Sequence, residues 1–325
     1  MTESISKLID EALDYTERNK MLLAAASPSM AKVLARLCQE GYLIRPQRGL
    51  YVRRDTWNEL TSFERYLMRI RTLSSLHPEW VFCSYSAAVV HGIEPPRFAM
   101  NRIHIISSGT RTNPGIHRHH CRNVETENHN GIRVVTIEHA AQACIEEMPF
   151  PYALGIADAA LRVKNLEADD LIHTLGRLQR KHEQKAYAAD VISYADKRSE
   201  NGGESYARAI MIEQGVMLPD LQVEHYDPIC NCVYRDDYEW DLASYRVSGE
   251  LDGKQKYTKI ARERGKTIED VMREERQRES RLRNLGMKFA RFNFNQVRQV
   301  QPFLSILDSC GIPRIGPNSR APRKP

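Results

Sequence analysis

The stretch EWDLASYRVSGELDGKQKY at residues 239–257 decides how the C-terminal part of this chain folds. Apolar and polar side chains alternate through residues 238–242 and again through residues 247–252. Alternation with a period of two predicts two β-strands, each with one apolar face and one acidic face. The short interval between the two segments predicts a tight turn, so the stretch is expected to form an antiparallel hairpin.

The acidic face of this predicted hairpin indicates a cation site. With the turn centred directly after Tyr245, Asp241 lies opposite Glu250, and Glu239 lies opposite Asp252. Directly opposed Cβ atoms are only ~5 Å apart, so like charges placed there repel one another. A Mg²⁺ ion relieves this repulsion because it binds carboxylate oxygens, and it keeps further positions for water and for phosphate oxygens.

Two interpretations of the acidic face remain open. Lys254 and Lys256 follow it directly, and a metal-dependent phosphodiesterase uses a nearby ammonium to stabilise the charge that develops on the phosphate. A one-sided antiparallel sheet with a solvated polar face shows the same alternation without any site. Spacing alone does not separate the two interpretations.

The composition is that of an ordinary globular protein. The chain has 325 residues, of which 42% are hydrophobic and 27% are charged, so two or three domains with sizeable cores are expected. No apolar run reaches the length of a membrane span, and the polar N-terminus does not resemble a signal peptide. The 7 cysteines include no CxxC pair, which argues against a disulfide framework or a cysteine zinc site. We therefore expect a cytoplasmic protein that does not act at a membrane.

Residues 27–53 predict a helix followed by a β-hairpin. Ser27 is a favourable N-cap with Pro28 at the first helical position, and apolar residues recur at helical spacing until Gly41 ends the helix. The segments 42–45 and 50–53 then read as two strands. Helices followed by a small basic hairpin are typical of a winged helix-turn-helix, so residues 1–57 are assigned to such a domain.

Four basic residues of this domain are predicted to contact DNA. Lys32 and Arg36 share the outward face of the helix that would enter a groove, and Arg45 and Arg48 lie on the wing. Between residues 27 and 54, basic residues greatly outnumber the single acid, which favours nucleic-acid contact over protein contact. Contact with a protein partner stays open as the alternative.

The rest of the chain divides into three further segments, which makes the fold class α/β and multidomain. Residues 58–186 mix helices and strands, and residues 187–310 read as helix, mixed strands, helix and strand, an α/β sandwich around a central sheet. Residues 311–325 form a basic, proline-rich tail. In the middle segment His117 and His119 share one face of a predicted strand, but no carboxylate or cysteine joins them at metal-ligand spacing, so a metal site is not favoured there.

Two sets of motifs resemble known families. The C-terminal segment resembles PD-(D/E)XK-fold proteins similar to very-short-patch-repair endonucleases, through Glu204-Ser, Pro219, Gln222, Asp241, residues 249–257, Arg278-Glu, Leu282-Arg, Leu285-Gly and Arg291. The N-terminal and middle segments resemble AbiEi-type antitoxins and regulators, through residues 48–51, Ser86-Ala-Ala, His91-Gly and residues 157–162. Together the two resemblances cover most of the chain.

The first resemblance implies a restriction-endonuclease-like core with metal-binding acids on adjacent strands. Carried onto this sequence, Asp241 and Glu250 are the main catalytic metal ligands, Asp252 is a further ligand, and Glu204 is an accessory catalytic acid on a helix. The implied cofactor is Mg²⁺ or Mn²⁺. The family's acid–any residue–lysine triplet becomes Glu250-Leu-Asp252 here, and Lys256, in preference to Lys254, is expected to replace the missing catalytic lysine.

Two functions follow as hypotheses. The first is a DNA-binding protein with a metal-dependent endonuclease-like domain that cleaves phosphodiester bonds, in defence against mobile DNA. The second is an AbiEi-like antitoxin or transcriptional regulator with a catalytically inactive nuclease fold. DNA is the expected partner in both, and a cognate toxin or a second copy of the chain is a further candidate. We lean towards the enzyme, a deoxyribonuclease, because the acids and a following lysine are all present.

Overall fold

A computed structural model of the chain describes residues 3–109, 113–121, 124–177, 182–227, 231–252, 265–284, 286–314, 316 and 321–322. The protein is a mixed α/β chain that folds as two compact units, Met1–Cys144 and Ile145–Pro325, called here the N-terminal and C-terminal units. This division is coarser than the predicted one. Residues 1–57 belong to the same unit as most of the middle segment, and the boundary falls at residue 144 rather than at 186.

In the described residues, helices and strands are mixed in both units, and five consecutive helices lie between residues 137 and 213. The first ten helices that the structure describes are α1 (Glu3–Arg18), α2 (Pro28–Gln39), α3 (Arg54–Glu59), α4 (Ser62–Leu76), α5 (Ser84–Val90), α6 (Ile137–Glu147), α7 (Phe150–Lys164), α8 (Ala168–Arg177), α9 (His182–Ser193) and α10 (Gly202–Glu213).

 Three further helices follow in the described residues, α11 (Ile268–Asn284), α12 (Phe294–Gln299) and α13 (Gln301–Ser309), and a short 3₁₀ helix spans Arg97–Asn101.

The strands belong to three sheets in the described residues. They are β1 (Leu23–Ala24), β2 (Leu43–Gln47), β3 (Leu50–Arg53), β4 (Val81–Phe82), β5 (Ile103–Ile106), β6 (Ile116–His119), β7 (Thr126–His129), β8 (Ile132–Val135), β9 (Asp220–Asp227), β10 (Cys232–Leu242), β11 (Tyr245–Asp252) and β12 (Lys288–Asn293). Among the helices in the described ranges, none combines the length and the apolar character that crossing a lipid bilayer requires.

The first sheet of the N-terminal unit is small and has the strand order β1-β3-β2. The predicted helix start is confirmed, because the Ser27 hydroxyl accepts the N–H of Met30 and Pro28 is the first helical residue of α2. The predicted hairpin is also confirmed as β2 and β3. A compact apolar cluster holds α1 and α2 against this sheet through Leu13, Leu34 and Leu43.

The second sheet of the N-terminal unit has five strands in the order β6-β5-β4-β8-β7. Strands β5 and β6 run parallel, and β7 and β8 form an antiparallel hairpin at the other edge. The buried core of this region includes Phe82, Ile105 and Val134 from the sheet and Ile70 from α4. Leu50 and Val52 of β3 belong to the same core, which explains why residues 1–57 do not form a separate compact unit.

The third sheet lies in the C-terminal unit and has the order β12-β11-β10-β9. Strands β9, β10 and β11 are successive antiparallel neighbours, whereas β12 runs parallel to β11. Helix α10 precedes the three antiparallel strands, and α11 lies between β11 and β12 in the chain. The predicted order of helix, mixed strands, helix and strand is therefore present.

One face of this sheet is apolar and forms the core of the C-terminal unit. Tyr238, Trp240, Val247 and Phe292 are almost completely buried there. Gly249 is required by this packing, because a Cβ built on it would lie 2.6 Å from a ring carbon of Trp240. The alternation in residues 238–252 thus gives the apolar face that the sequence predicts.

The register of the β10–β11 hairpin differs from the prediction. Leu242 pairs with Tyr245, so the turn consists of residues 243–244 rather than lying after Tyr245. Asp241 therefore pairs with Arg246, and the expected opposition of Asp241 and Glu250 is wrong. The expected opposition of Glu239 and Asp252 is wrong for the same reason, since Glu239 pairs with Ser248.

Candidate metal and nucleic-acid sites

A row of polar residues crosses the sheet of the C-terminal unit. The registers of neighbouring strands, each extended to the next position, place Asp237 of β10 beside Gln222 of β9 and beside Glu250 of β11. Glu250 pairs in turn with Arg291 of β12. These four residues, called here the sheet row, bring two carboxylates together on adjacent strands.

The strands are irregular at the sheet row. The Asp237 carboxylate accepts a hydrogen bond from the main-chain N–H of Leu251 at 3.0 Å. In a regular ladder the acceptor of such an N–H is a main-chain carbonyl oxygen. Gln222 has φ of +57°, in the left-handed region. Asp237 is 8% exposed and Glu250 is 6% exposed. Carboxylates so deeply buried require close partners, which can be donors or cations.

Glu204 carries a third carboxylate from the first turn of α10, where the helix dipole stabilises negative charge. The side chain of Asn201 caps this helix by accepting the N–H groups of Gly203 and Glu204. The Glu204 carboxylate accepts the main-chain N–H of Glu200 at 2.7 Å and the side-chain amide of Gln222 at 3.1 Å. The bond to Gln222 links this helix acid to the sheet row.

Arg291 is the cation of the sheet row. Its guanidinium nitrogens lie 3.1 Å from a Glu250 oxygen, 3.4 Å from an Asp252 oxygen and 3.4 Å from an oxygen of Glu279 on α11. The Arg291 side chain is 22% exposed, so solvent screens these contacts only in part. A permanent positive charge thus lies beside two of the predicted metal ligands.

Asp241 lies at the far end of the hairpin from this row. Its carboxylate is 70% exposed and lies 3.8 Å from the guanidinium of Arg246. Glu250 follows Arg246 by four positions on β11, which corresponds to ~13 Å along a strand. Ligands of one Mg²⁺ ion lie within ~2.1 Å of the metal, so Asp241 and Glu250 cannot share an ion in this fold. Asp237 takes the place beside Glu250 that the sequence assigned to Asp241.

A second polar cluster in the C-terminal unit was not predicted. His225 of β9 and the β10 residues Asp236 and Glu239 present one ligand atom each, all within 4.8 Å of one another. The His225 Nε2 atom lies 2.6 Å from Glu239 and 3.2 Å from Asp236, and both carboxylates are buried. The hydrogen bond to Asp236 raises the pKa of His225, burial opposes this, and the charges of both carboxylates raise it further.

This cluster, called here the His225 cluster, has two chemical interpretations. A protonated His225 neutralises part of the charge of two buried carboxylates. Alternatively, one imidazole nitrogen and two carboxylate oxygens make a donor set for a divalent ion. Nε2 of His225 lies only 2.6 Å from Oε2 of Glu239, which is the separation of a direct charged contact and shorter than that of two ligands of one ion, so the first interpretation is favoured.

Lys254 and Lys256 both fall within residues 253–264, outside the described ranges. The role of Lys256 as the catalytic lysine therefore stays a prediction.

The four predicted DNA contacts are all on the surface of the N-terminal unit. Lys32 and Arg36 are exposed on α2, and Arg45 and Arg48 are exposed on the β2–β3 hairpin. Arg36 makes an ion pair with Glu40 one turn away, at 3.3 Å, and such an exposed pair contributes little. The placement is compatible with contact to a nucleic-acid backbone.

Arg53 is one of the basic residues counted between residues 27 and 54, and it forms ion pairs within the N-terminal unit. Its guanidinium lies 2.7 Å from Asp14, 2.9 Å from Glu17 and 3.5 Å from Asp10, all on α1. These contacts fasten β3 to α1. Arg53 is therefore part of the fold rather than of a DNA-binding surface, and the positive surface is smaller than the sequence suggests.

The histidines at 117 and 119 contact another histidine. His104 of β5 lies beside them, and its Nδ1 atom is 2.8 Å from Nε2 of His119. Burial, and then the charges of His119 and His117, lower the pKa of His104 to about 3. A neutral, hydrogen-bonded imidazole accounts for this group without a metal.

Comparisons with known proteins give two distant relatives. The chain is 28% identical over 144 residues to uncharacterized proteins of two strains of Mycobacterium tuberculosis, which covers 44% of this chain and 52% of each relative. The chain thus spans about half the length of the curated relatives it matches. No family model matches the sequence, and no solved structure matches it.

Proposed function

We propose that this protein binds DNA through a winged-helix-like region in its N-terminal unit and cleaves phosphodiester bonds with a metal-dependent site in its C-terminal unit. The observation that carries the proposal is the sheet row. Asp237 and Glu250 lie side by side on adjacent strands, and Gln222 links the helix acid Glu204 to the same row. Acids on adjacent strands are what the resemblance to PD-(D/E)XK proteins implies.

The donor atoms of the sheet row suit Mg²⁺ or Mn²⁺, since carboxylate oxygens are the ligands these ions prefer. Asp237, Glu250 and Asp252 would hold the ion, and Glu204 would support it from the helix. A bound ion would polarise a phosphate and lower the pKa of a bound water. Arg291 orients Glu250 and Asp252, and its guanidinium is suited to bind phosphate oxygens.

The test is a cleavage assay with supercoiled plasmid and single-stranded DNA, with and without Mg²⁺ or Mn²⁺. We expect Glu250→Gln and Asp237→Asn to abolish metal-dependent cleavage and to leave DNA binding unchanged. Asp241→Asn is the matched control, because it removes the same charge from the exposed end of the same hairpin. Equal loss of cleavage in Asp241→Asn would count against the sheet row as the site.

A second function is favoured by Arg291. Its guanidinium already neutralises Glu250 and Asp252, and the strand triplet has Asp252 where a catalytic lysine is expected. A fold with these features suits a transcriptional regulator of the antitoxin kind, in which the N-terminal unit binds an operator and the sheet is a scaffold. A cognate toxin would then be a partner.

One experiment separates the two functions. Purified wild-type protein is tested for cleavage of duplex and single-stranded DNA and for binding to its own promoter, in matched buffers with Mn²⁺. Promoter binding without cleavage of any substrate supports the regulator. Cleavage that is lost in Glu250→Gln supports the nuclease.

A further inference from the structure

A third histidine-containing cluster lies in the five-stranded sheet of the N-terminal unit. His91 follows the last residue of α5, and Glu127 and His129 lie on the edge strand β7. Residues two apart on a strand point to the same face, so Glu127 and His129 both face His91. One ligand atom from each of the three lies within 4.8 Å of the others.

The hydrogen bonding of His91 defines which ring nitrogen faces the cluster. Its Nε2 atom lies 2.8 Å from the main-chain carbonyl oxygen of Val135, in a buried position. A carbonyl oxygen only accepts, so Nε2 carries the hydrogen and the neutral ring has a lone pair at Nδ1. Histidines that bind metals characteristically donate their second ring N–H in this way.

The distances suit two ligands of one ion. Nδ1 of His91 lies 3.6 Å from Oε1 of Glu127, which is too long for a hydrogen bond. Two ligands ~2.1 Å from a tetrahedral metal lie ~3.4 Å apart. The ring of His129 completes the set, with its centroid 5.2 Å from that of His91 and its plane turned by 72°.

We infer that His91, Glu127 and His129 bind a zinc ion. Two imidazoles and one carboxylate are a donor set that zinc uses when a fourth position stays open for water or a ligand. The His91 side chain is fully buried, whereas that of Glu127 is 36% exposed, so the open position would lie on the solvent side. The ion would join the end of α5 to the edge strand of the sheet.

The test uses full-length protein stripped of metal with a chelator and titrated with Zn²⁺ against a competing indicator. We expect tight binding that falls by more than about 100-fold in Glu127→Gln, above the range for loss of a supporting hydrogen bond. His129→Ala should have the same effect. Glu127 is partly exposed, so its amide variant should stay folded, which far-UV circular dichroism checks.

Two controls make the result specific. His120→Ala removes an exposed histidine of the same unit and should leave zinc affinity unchanged. Glu239→Gln alters the His225 cluster and should not remove the zinc equivalent assigned to His91. The inference is overturned if stripped wild-type protein binds no Zn²⁺, or if folded Glu127→Gln and His129→Ala bind it as the wild type does.

Discussion

In the C-terminal unit, Nη2 of Arg291 lies 3.1 Å from Oε2 of Glu250 across two parallel strands. The same guanidinium contacts Asp252 on the strand of Glu250 and Glu279 on α11. One permanent cation therefore joins three acids in a site that is largely shielded from solvent. A divalent ion entering the sheet row would compete with Arg291 for Glu250, or would share it.

Replacing Arg291 by glutamine tests this competition. We expect the metal-free variant to be less stable by about 1.5–3 kcal/mol, the range for hydrogen bonds to charged groups. We also expect Mn²⁺ to raise its melting temperature more than that of the wild type, since the ion would replace the lost cation. Thermal melts with and without Mn²⁺ measure both effects.

Arg246→Gln is the control for Arg291→Gln. Arg246 is 53% exposed and lies 3.8 Å from Asp241, so its loss should change stability by less than about 1 kcal/mol. A melting temperature of Arg291→Gln that responds to Mn²⁺ no more than the wild type does would argue against a metal at Glu250.

The proposed DNA-binding surface, formed by α2 and the β2–β3 hairpin, predicts how DNA affinity depends on salt. If Arg36 and Arg48 contact phosphates, each alanine variant should lower the slope of log K against log salt by about one unit, and the double variant by about two. Fluorescence anisotropy at several salt concentrations measures the slope. Arg133→Ala, which removes an exposed arginine from the five-stranded sheet, should leave it unchanged. Wild-type binding by the double variant would rule out this surface.

The buried pair of Asp158 and Arg208 predicts a large effect on stability. Both oxygens of Asp158 on α7 lie 2.8 Å from Nη2 of Arg208 on α10, and both side chains are almost fully buried. Asp158→Ala leaves a buried guanidinium charge and should cost about 3–5 kcal/mol. Urea unfolding measures this cost.

Two variants make the test of this pair specific. Asp158→Leu combined with Arg208→Met should be less destabilising than Asp158→Ala, because no unpaired charge remains. Asp308→Ala breaks the exposed pair with Arg314 and should cost less than about 1 kcal/mol. Similar losses in Asp158→Ala and Asp308→Ala would contradict the assignment.

The sequence predicted most elements of the C-terminal sheet but not its register. A hairpin whose centre moves by two residues keeps every side chain on the same face, so the alternation in residues 238–252 cannot distinguish the two registers. The turn at residues 243–244 is Ala-Ser, which lacks the Asn-Gly or Gly signal that marks tight hairpins. For these two reasons the sequence pattern pairs Asp241, and not Asp237, with Glu250.

The histidine clusters could not be found from spacing. Asp236 and Glu239 are three residues apart, and regular alternation would put them on opposite faces of β10. Both carboxylates nevertheless lie beside His225 in the folded chain. Glu127 and His129 have a strand spacing that sequence reasoning can recognise, but His91 comes from a helix end far away in the chain. Tertiary structure alone brings these residues together.

The low pKa of His104 predicts that acid destabilises the N-terminal unit. Its pKa is about 3 in the folded protein and 6.5 in the absence of the fold, so between these values the unfolded chain binds a proton that the folded chain does not. Above pH 6.5 His104 therefore does not lower the free energy of unfolding. As the pH falls from 6.5 towards 3, this one group lowers the free energy of unfolding by up to about 1.4 kcal/mol per pH unit. His104→Asn should reduce the loss of stability between pH 7 and pH 5, measured by urea unfolding. The exposed His120→Asn should not reduce it, and equal slopes in wild type and His104→Asn would show that His104 is not the group responsible.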